Sequence, residues 1–307
     1  MPAPVAVIDL GTNTFHLLIA IVEAGAIREV VHRVDAVKLG EGGINSGRIR
    51  DDAFGRGLTM LRNYALQIHE NNASPVRAIA TSAIRNAANG PEFIKKVAQE
   101  TGICIEVIDG AQEAAFIYKG IRASGSLGPH RSLIMDIGGG SVEFILCTQS
   151  GILWKQSFEI GAARLMDRYH HSDPIAAREI ARLEQYLEEQ LQPLFAAVKT
   201  YPVKHLVGSA GSFETFVEMT GTSGASADNE RIKTYHFNLQ ALAAVMDWLR
   251  NSTHRQREER QDIEPVRVDM IVVASLVTAF VMRKSGITRV SMSAYSLKEG
   301  VLADVIS

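Results

Sequence analysis

The sequence predicts an α/β protein made of two similar halves, and two observations support this prediction. The first is a stretch that occurs twice, at residues 7–19 and 134–146. Each copy runs through an apolar pair, an Asp, an apolar residue, a Gly, two small residues, a hydroxyl residue and an apolar run. The matching acids, Asp9 and Asp136, are 127 residues apart, about the length of one domain. The second observation is that strand-like and helix-like segments alternate within each half, which is typical of α/β proteins.

Each copy of the repeat predicts a strand, a tight turn and a second strand. The apolar residues before the Asp are typical of a buried strand. Gly permits a positive φ, and small neighbours let a ligand approach the backbone, where consecutive N–H groups can bind an anion. A carboxylate at the strand end, Asp9 or Asp136, can hold Mg²⁺ directly or through water. Two such turns facing each other would hold a phosphate chain and its metal ion.

The first half is expected to begin with a three-stranded meander and to continue through alternating helices and strands. Apolar residues at helical spacing predict the long helix, and Pro91 suits the first turn of a later one. The expected strands are 5–9, 15–22, 27–39, 75–80 and 103–108, with a turn at Ala24-Gly25; the expected helices are 51–71, a short one carrying Arg85, 91–102 and one opening at Gly110.

The second half repeats this order after a Gly- and Ser-rich linker at residues 124–129, so we expect domains at 1–127 and 128–295. Asn238 is predicted to cap a helix, and Pro193 to break a long one. The expected strands are 132–136, 142–148, 152–159, 205–208 and 288–291; the expected helices start at 173, 238, 268 and 296, and a polar loop is expected at 221–229. Two halves side by side leave an interdomain cleft, the usual place for a ligand.

Composition excludes several classes of protein. With 46% hydrophobic and 21% charged residues and a net charge of −2, the chain is not a strongly basic nucleic-acid binder. The longest apolar run, 271–282, is too short to span a bilayer. Cys104 and Cys147 lie in apolar runs and are expected to be buried free thiols, which suits a reducing compartment. No signal peptide is visible, so we expect a cytoplasmic protein with no membrane or nucleic-acid partner.

These motifs resemble a known family. The paired turns, at residues 8–14 and 136–143, are similar to the phosphate motifs of the superfamily of actin, heat-shock chaperones and sugar kinases. Within that superfamily the chain resembles the exopolyphosphatase/guanosine pentaphosphate phosphatase (Ppx/GppA) family. Four further stretches carry the resemblance, which is collinear over nearly the whole chain: residues 80–87, 109–114, 208–215 and 293–302.

The resemblance implies two ribonuclease-H-like (actin-like ATPase) domains, with the active site in the cleft and the last helix, 296–307, packed back on the first domain. The chain is similar to the short, two-domain form of the family. The implied activity is Mg²⁺-dependent hydrolysis of the terminal phosphate of inorganic polyphosphate, with or without a monovalent cation as a second cofactor. A homodimer is a further expectation from the family.

The catalytic candidates are Glu113, Glu143 and Arg85. Glu113 follows a strand and opens a helix, where a carboxylate can activate water for attack on a phosphoryl group; the resemblance gives it the role of general base. A first-turn Glu can also simply complement the helix dipole. Glu143 lies on the same strand face as Ser141 and is expected to bind Mg²⁺ or order the water, whereas the first copy has His16 there. Arg85 can neutralise charge on the transferred phosphoryl group.

The remaining site residues are expected to bind phosphate or metal. Asp9, Asp136 and Glu143 are the predicted metal ligands. The predicted phosphate-binding residues are Thr12, Asn13, Gly138, Gly139, Gly140, Ser141, Ser209, Gly211 and Ser212. Lys38 is a weaker candidate. A basic run with Arg255, Arg257, Arg260 and Arg267 is interpreted as a solvated helix face rather than a polyphosphate track.

Three alternatives remain open. The same motifs serve guanosine pentaphosphate as well as polyphosphate, so the nucleotide is an equal chemical candidate for the substrate. A non-catalytic sensor of guanosine tetraphosphate or another nucleotide would not need both Glu113 and Glu143. An ATP-dependent kinase of the superfamily would transfer phosphate to a sugar or acid rather than to water.

Overall fold

The computed structural model describes residues 3–23, 26–221 and 233–305. Two compact units make up the chain: unit 1 contains residues 1–120 and 297–307, and unit 2 contains residues 121–296. The division falls at 120/121, inside a helix, whereas the predicted boundary was 127/128. Each unit holds one mixed sheet with helices packed on it.

Unit 1 is built on a five-stranded sheet with strand order β3-β2-β1-β4-β5. Its strands are β1 (Val5–Leu10), β2 (Thr14–Glu23), β3 (Ala26–Ala36), β4 (Val76–Ala80) and β5 (Ile105–Val107). The first three form the predicted antiparallel meander, and β4 and β5 are added in parallel. The helices of this part are α1 (Asp51–Glu70), α2 (Ser82–Arg85), α3 (Gly90–Thr101) and α4 (Gly110–Ala123).

The core of unit 1 follows from the period-two alternation of its strands. Ala6, Ile8 and Leu10 of β1 are buried in the same cluster as Leu61 and Tyr64 of α1. The amphipathic spacing of α1 therefore places its apolar face on this side of the sheet. Helix α3 ends at Gly102, whose φ of 73° is the left-handed conformation that glycine adopts most easily.

Unit 2 is built on a six-stranded sheet with strand order β10-β11-β9-β6-β7-β8. Its strands are β6 (Ser132–Ile137), β7 (Val142–Thr148), β8 (Gly151–Phe158), β9 (His205–Ser209), β10 (Thr234–His236) and β11 (Arg289–Ser293). Its helices are α5 (Ala162–Tyr169), α6 (Ala177–Gln190), α7 (Gln192–Thr200), α8 (Ala210–Met219), α9 (Leu239–Asn251), α10 (His254–Glu258) and α11 (Ile271–Ser285). The last helix of the chain, α12 (Leu297–Val305), belongs to unit 1 and contacts β1.

The five-strand order of unit 1 recurs in unit 2, where β10 is an additional edge strand, and this confirms the predicted duplicated α/β fold. In unit 1, Asp9 pairs with His16 on β2 and with Ile79 on β4. The equivalent Asp136 of unit 2 pairs with Glu143 on β7 and with Ser209 on β9. The registers therefore agree position by position, and only the side chains differ.

Some elements differ from the sequence expectations. Helix α5 was not predicted. The helix expected from residue 173 begins at Ala177, and the break predicted at Pro193 is confirmed, because α6 ends at Gln190 and α7 begins at Gln192. Cys104 is exposed rather than buried, because it precedes β5 and alternates with the inward-facing Ile103; Cys147 is buried. The predicted Ala24-Gly25 turn and residues 222–229 of the predicted loop lie outside the described residues. No helix in the described ranges has the length and apolarity to cross a bilayer.

Candidate active site

A row of four polar side chains crosses one face of the unit 2 sheet. We call it the carboxylate row, and it consists of Ser157 on β8, Glu143 on β7, Asp136 on β6 and Ser209 on β9. Each is the direct register partner of the next, so all four project from the same side of the sheet. The two outer hydroxyls donate to the two inner carboxylates: Ser157 Oγ lies 2.6 Å from Glu143 Oε1, and Ser209 Oγ donates to Asp136 Oδ2.

The carboxylate row places two acids side by side in a buried position. Glu143 is 1% exposed and Asp136 is 7% exposed. Like charges directly opposite each other on neighbouring strands are destabilising, and burial strengthens their repulsion. Such a pair is favourable where a cation shares it. The arrangement thus concentrates negative charge where the sequence predicted metal ligands.

The donor set of the carboxylate row fits Mg²⁺. Among the described residues there is no cluster of three or more His, Cys, Asp or Glu side chains that would enclose a metal ion. A closed structural zinc site therefore does not match this part of the chain. Mg²⁺ instead binds through one or two carboxylates and completes its shell with water and substrate phosphates. Asp136 and Glu143 provide such a pair of hard oxygen ligands.

Unit 1 lacks this arrangement. The positions equivalent to the row are Val34, His16, Asp9 and Ile79, so Asp9 is the only carboxylate among them. His16 Nε2 lies 3.1 Å from Thr14 Oγ1. The asymmetry noted in the sequence, His16 against Glu143, therefore extends across the whole row. Asp9 remains a predicted metal ligand on chemistry alone.

The turn of residues 138–141 is held by the start of α5. The amide N–H of Gly161 donates to the carbonyl of Gly140 at 3.1 Å, and that of Ala162 donates to the carbonyl of Gly138 at 2.9 Å. A Cβ at Gly161 would overlap the backbone of the turn, so the chain needs glycine there. These hydrogen bonds from the start of α5 occupy carbonyl groups of the turn and hold Gly138 to Ser141 in place.

Arg164, on α5, is a functional candidate that the sequence analysis missed. It is buried, and its Nε donates to the carbonyl of Gly140 at 3.1 Å while Nη2 pairs with Glu159 at 2.7 Å. A guanidinium beside the turn adds positive charge at the predicted phosphate cradle. The Gly-Ala-Ala-Arg stretch after β8 carries no recognised motif, because the contact depends on tertiary packing rather than on local pattern.

The turn between β9 and α8 carries the other predicted phosphate-binding residues of unit 2. Ser209 is fully buried and bound to Asp136, so it supports the carboxylate row rather than facing a ligand. Ala210 has a φ of 65°, an uncommon conformation for a residue with a Cβ. Strain of this kind concentrates at functional turns. Gly211 and Ser212 are half-buried at the first turn of α8.

Arg267 packs on this second turn and was also misjudged from the sequence. A Cβ at Gly211 would overlap its guanidinium, and Arg267 Nη2 pairs with Glu214 at 2.7 Å. Arg257, from the same basic run, is 2% exposed and donates to the carbonyls of Ser252 and Val268. The interpretation of the run as a solvated helix face is therefore wrong for these two residues.

In unit 1, the first repeat turn is braced by the loop that follows β3. The N–H of Lys38 donates to the carbonyl of Asn13 at 2.7 Å, and the N–H of Gly40 donates to the carbonyl of Thr12 at 2.9 Å. Thr12 is buried and Asn13 is half-buried. Lys38 has a φ of 49°, so it too adopts a left-handed conformation. The turn is thereby fixed on its carbonyl side, as in unit 2.

Glu113 and Arg85, predicted separately as base and charge-neutralising group, lie together in unit 1. Arg85 Nη1 is 3.0 Å from Glu113 Oε2 and 2.9 Å from the carbonyl of Ile108. Glu113 lies in the first turn of α4 and is 7% exposed, and the side chain of Arg85 is 17% exposed. Arg85 and Glu113, 28 residues apart in the sequence, thus meet at one point. Arg85 is placed by the short helix α2 after β4, and Glu113 by the start of α4.

The two units repeat one α/β arrangement, each with an Asp-x-Gly turn at the carboxyl end of its first strand. The sequence profile of the Ppx/GppA phosphatase family matches residues 18–307, and the chain belongs to that family. It is similar to exopolyphosphatase 2 of Mycobacterium tuberculosis, with 32% identity over 97% of each protein.

Solved structures agree with this assignment. The chain is similar to an exopolyphosphatase from Cytophaga hutchinsonii, with 38% identity, a TM-score of 0.95 and coverage of 99% of this chain and 97% of that one. It is also similar to the Ppx/GppA enzyme of Aquifex aeolicus, with 25% identity, a TM-score of 0.81 and coverage of 98% and 99%. Family membership makes the chain a phosphatase that acts on phosphoric anhydrides.

Proposed function

We propose that the chain is an exopolyphosphatase, which removes the terminal phosphate of inorganic polyphosphate with Mg²⁺ as cofactor. Two of its relatives carry the name exopolyphosphatase, one of them with 38% identity over nearly the whole chain. The observation that carries the proposal is the carboxylate row, because two adjacent buried carboxylates suit a reaction that brings a metal ion and a polyanion together.

Asp136 and Glu143 of unit 2 are the residues that would hold the metal ion. Asp9, the equivalent acid of unit 1, is proposed as a metal ligand on its chemistry. When bound, Mg²⁺ neutralises charge on the phosphate oxygens and polarises the terminal phosphoryl group. The hydroxyls of Ser157 and Ser209 keep the two carboxylates oriented, since each donates to one carboxylate oxygen. Their role is therefore positioning.

Glu113 is the proposed general base. Its carboxylate accepts a proton from a water molecule, whose oxygen forms a bond to the terminal phosphorus while the bridging P–O bond breaks. The products are inorganic phosphate and a chain shortened by one unit. Arg85 lies 3.0 Å from this carboxylate, and a guanidinium has five N–H donors, so one group can bind both Glu113 and an oxygen of the transferred phosphoryl group.

The remaining predicted residues are proposed to hold the rest of the phosphate chain. Backbone N–H groups at Thr12 and Asn13 and at Gly139 to Ser141 are proposed to bind phosphate oxygens, since the carbonyl sides of both turns are occupied by the surrounding loops. The N–H of Gly138 donates to the carbonyl of Ser141 at 3.0 Å, so the proposed role of Gly138 is to shape this turn. Gly211 and Ser212, at the start of α8, are proposed to bind distal phosphates with Arg267 close by. Arg164 supplies positive charge behind the second cradle.

The test is phosphate release by the purified protein on polyphosphate and guanosine pentaphosphate, each with Mg²⁺ and with EDTA. We expect release from polyphosphate that requires the metal ion. Release from the nucleotide alone would assign the protein to the guanosine pentaphosphate branch, and release from neither would favour a nucleotide sensor.

The base assignment is tested in the same assay with Glu113→Gln. Proton transfer to a positioned carboxylate typically contributes about 10²–10⁴-fold, so kcat should fall by about that factor while KM stays nearly constant. Glu92→Gln is the matched control, because Glu92 is an exposed glutamate in the first turn of α3. A Glu113→Gln enzyme with a near wild-type rate would refute the role of general base.

A further inference from the structure

A basic cavity lies at the far end of the unit 2 sheet from the carboxylate row. Its volume is about 860 Å³, within the usual range for small-molecule sites. It lies where β6, β9 and β11 begin, whereas Asp136 and Ser209 lie where β6 and β9 end. From Ser132 to Asp136 the strand rises by about 13 Å, so the cavity is separate from the row.

The charged side chains that line this cavity are all positive. Arg131, Lys204 and Arg289 contribute three cations, and His130 also lines it. No Asp or Glu is among the lining residues in the part of the chain that the structure describes. This is unusual for a chain with 34 acidic and 32 basic residues, in which many arginines form ion pairs.

The two arginines of the cavity have no carboxylate within ion-pair distance among the described residues. Arg131 lies over the ring of Tyr201, 6.0 Å from its centroid, and Arg289 is exposed at the start of β11. Lys204 Nζ donates to the carbonyl of Gly286 at 3.0 Å, which places the ammonium but leaves its charge unneutralised. Three uncompensated cations around a concavity focus positive potential.

His205 forms part of the cavity wall, and its pKa responds to the positive charge of the cavity. Burial, then the positive charge of Arg289 and then His236 together lower its pKa to about 4. Its ring nitrogens face the hydroxyls of Ser132 at 3.1 Å and Ser291 at 2.8 Å. The imidazole is thus neutral and held in place by two hydrogen bonds. The groups that would bind a ligand are the cations around it.

We propose that this basic cavity is a second anion site, which binds a short oligophosphate of the size of tripolyphosphate independently of the catalytic residues. Guanidinium groups match the oxygens of phosphate in pairs, and three cations suit a ligand with several negative charges. The concavity has room for a compact anion such as tripolyphosphate, and its exposed cations are open to such a ligand from solvent. Binding here does not depend on turnover.

The test is a footprint of Lys204 by mass spectrometry in EDTA, where turnover is suppressed. Lys204 is exposed, and tripolyphosphate in the cavity would cover its ammonium. We expect saturating tripolyphosphate to slow acetylation of Lys204 by about fivefold or more, because pairing with phosphate oxygens stabilises the charged ammonium and only the neutral amine reacts. Lys96, on α3 in an ion pair with Glu100, is the internal control and should react at an unchanged rate.

Variants locate the effect. Arg131→Gln/Arg289→Gln should abolish the protection, and Arg255→Gln should keep it, because Arg255 is 86% exposed and pairs with Glu259 elsewhere. Unchanged reactivity of Lys204 in the wild-type protein would overturn the proposal, and this result does not depend on whether the double variant folds. Protection that persists in the double variant, or that sodium chloride at equal ionic strength reproduces, would also overturn it.

Discussion

Replacing Glu143 by glutamine is expected to make unit 2 more stable while it abolishes activity. The substitution keeps the shape of the side chain, and its amide oxygen can still accept the hydrogen bond from Ser157. It removes one of two carboxylates that face each other across β6 and β7 in a buried position. Stability and function should therefore change in opposite directions, as expected where acids are placed for a ligand rather than for the fold.

The magnitude follows from Coulomb's law. Side chains that are direct partners on antiparallel strands lie about 5 Å apart. At an effective dielectric constant of about 20, two negative charges at that distance repel by about 3 kcal/mol. Some of this is relieved by the two serine hydroxyls, so we expect Glu143→Gln to raise the free energy of unfolding of unit 2 by about 1–3 kcal/mol in EDTA.

The assay is urea denaturation followed by tryptophan fluorescence. Both tryptophans of the chain, Trp154 and Trp248, lie in unit 2, so the signal reports on that unit. Measurements in EDTA isolate the repulsion, and added Mg²⁺ should stabilise the wild-type protein more than the variant. In an Asp136→Asn background the gain from Glu143→Gln should largely disappear. A variant destabilised by 1 kcal/mol or more in EDTA, or an equal gain in both backgrounds, would refute the reasoning.

Two further predictions concern the same unit. Gly161→Ala should cost about 1–3 kcal/mol and lower phosphate release more than tenfold, because its Cβ would overlap the turn of residues 138–141; Gly151→Ala, with open space around it, is the neutral control. Stability should also fall on acidification through His205, whose pKa is about 4 when folded and about 6.5 when unfolded. Its contribution is complete above pH 6.5, and about 2 kcal/mol of it is lost between pH 7 and pH 4.5.

Each of these has a result that contradicts it. A Gly161→Ala protein as stable and active as Gly151→Ala would show that the turn does not need this close approach. For the acid effect, His205→Gln is the reference, since it does not titrate. Glu179 does not obscure this test, because its contribution to the free energy of unfolding is still nearly complete above pH 4.5. Burial raises the pKa of Glu179, but hydrogen bonds from Ser172 and nearby backbone N–H groups lower it to about 2. Equal pH dependence in wild-type and His205→Gln would exclude the histidine as the source.

The duplicated fold was predictable because its signals are local. Apolar runs, glycine turns and the repeated Asp-x-Gly motif are each contained in a few consecutive residues, and together they predicted both meanders. The positions of Asp136 and Glu143 on one face follow from the same hairpin. What was predicted well is therefore what depends on strand alternation and turn chemistry.

Ser157 was not predictable, although it completes the carboxylate row. Counting back from the turn between β7 and β8 would pair Glu143 with Gln156. A register shift between Leu146 and Cys147 moves the pairing by one residue and brings Ser157 opposite Glu143. A shift of one residue turns every side chain to the other face, and the sequence carries no mark of this irregularity.

The arginines were misjudged for a related reason. Arg257 lies in a charged run, and local pattern predicts a solvated face. In the structure, the carbonyl groups of Ser252 and Val268 accept hydrogen bonds from its guanidinium, so it can be buried. Arg164 and Arg267 likewise gain their places beside the two phosphate turns through tertiary packing.

The measurement that tests the central claim most directly is hydrolysis of polyphosphate in water enriched in ¹⁸O, with the products analysed by mass spectrometry. Attack of water on the terminal phosphorus places the label in the released phosphate and leaves the shortened chain unlabelled. The account predicts one labelled oxygen in each phosphate released by the wild-type protein with Mg²⁺. Label in the shortened chain, or phosphate release without incorporation from water, would contradict it.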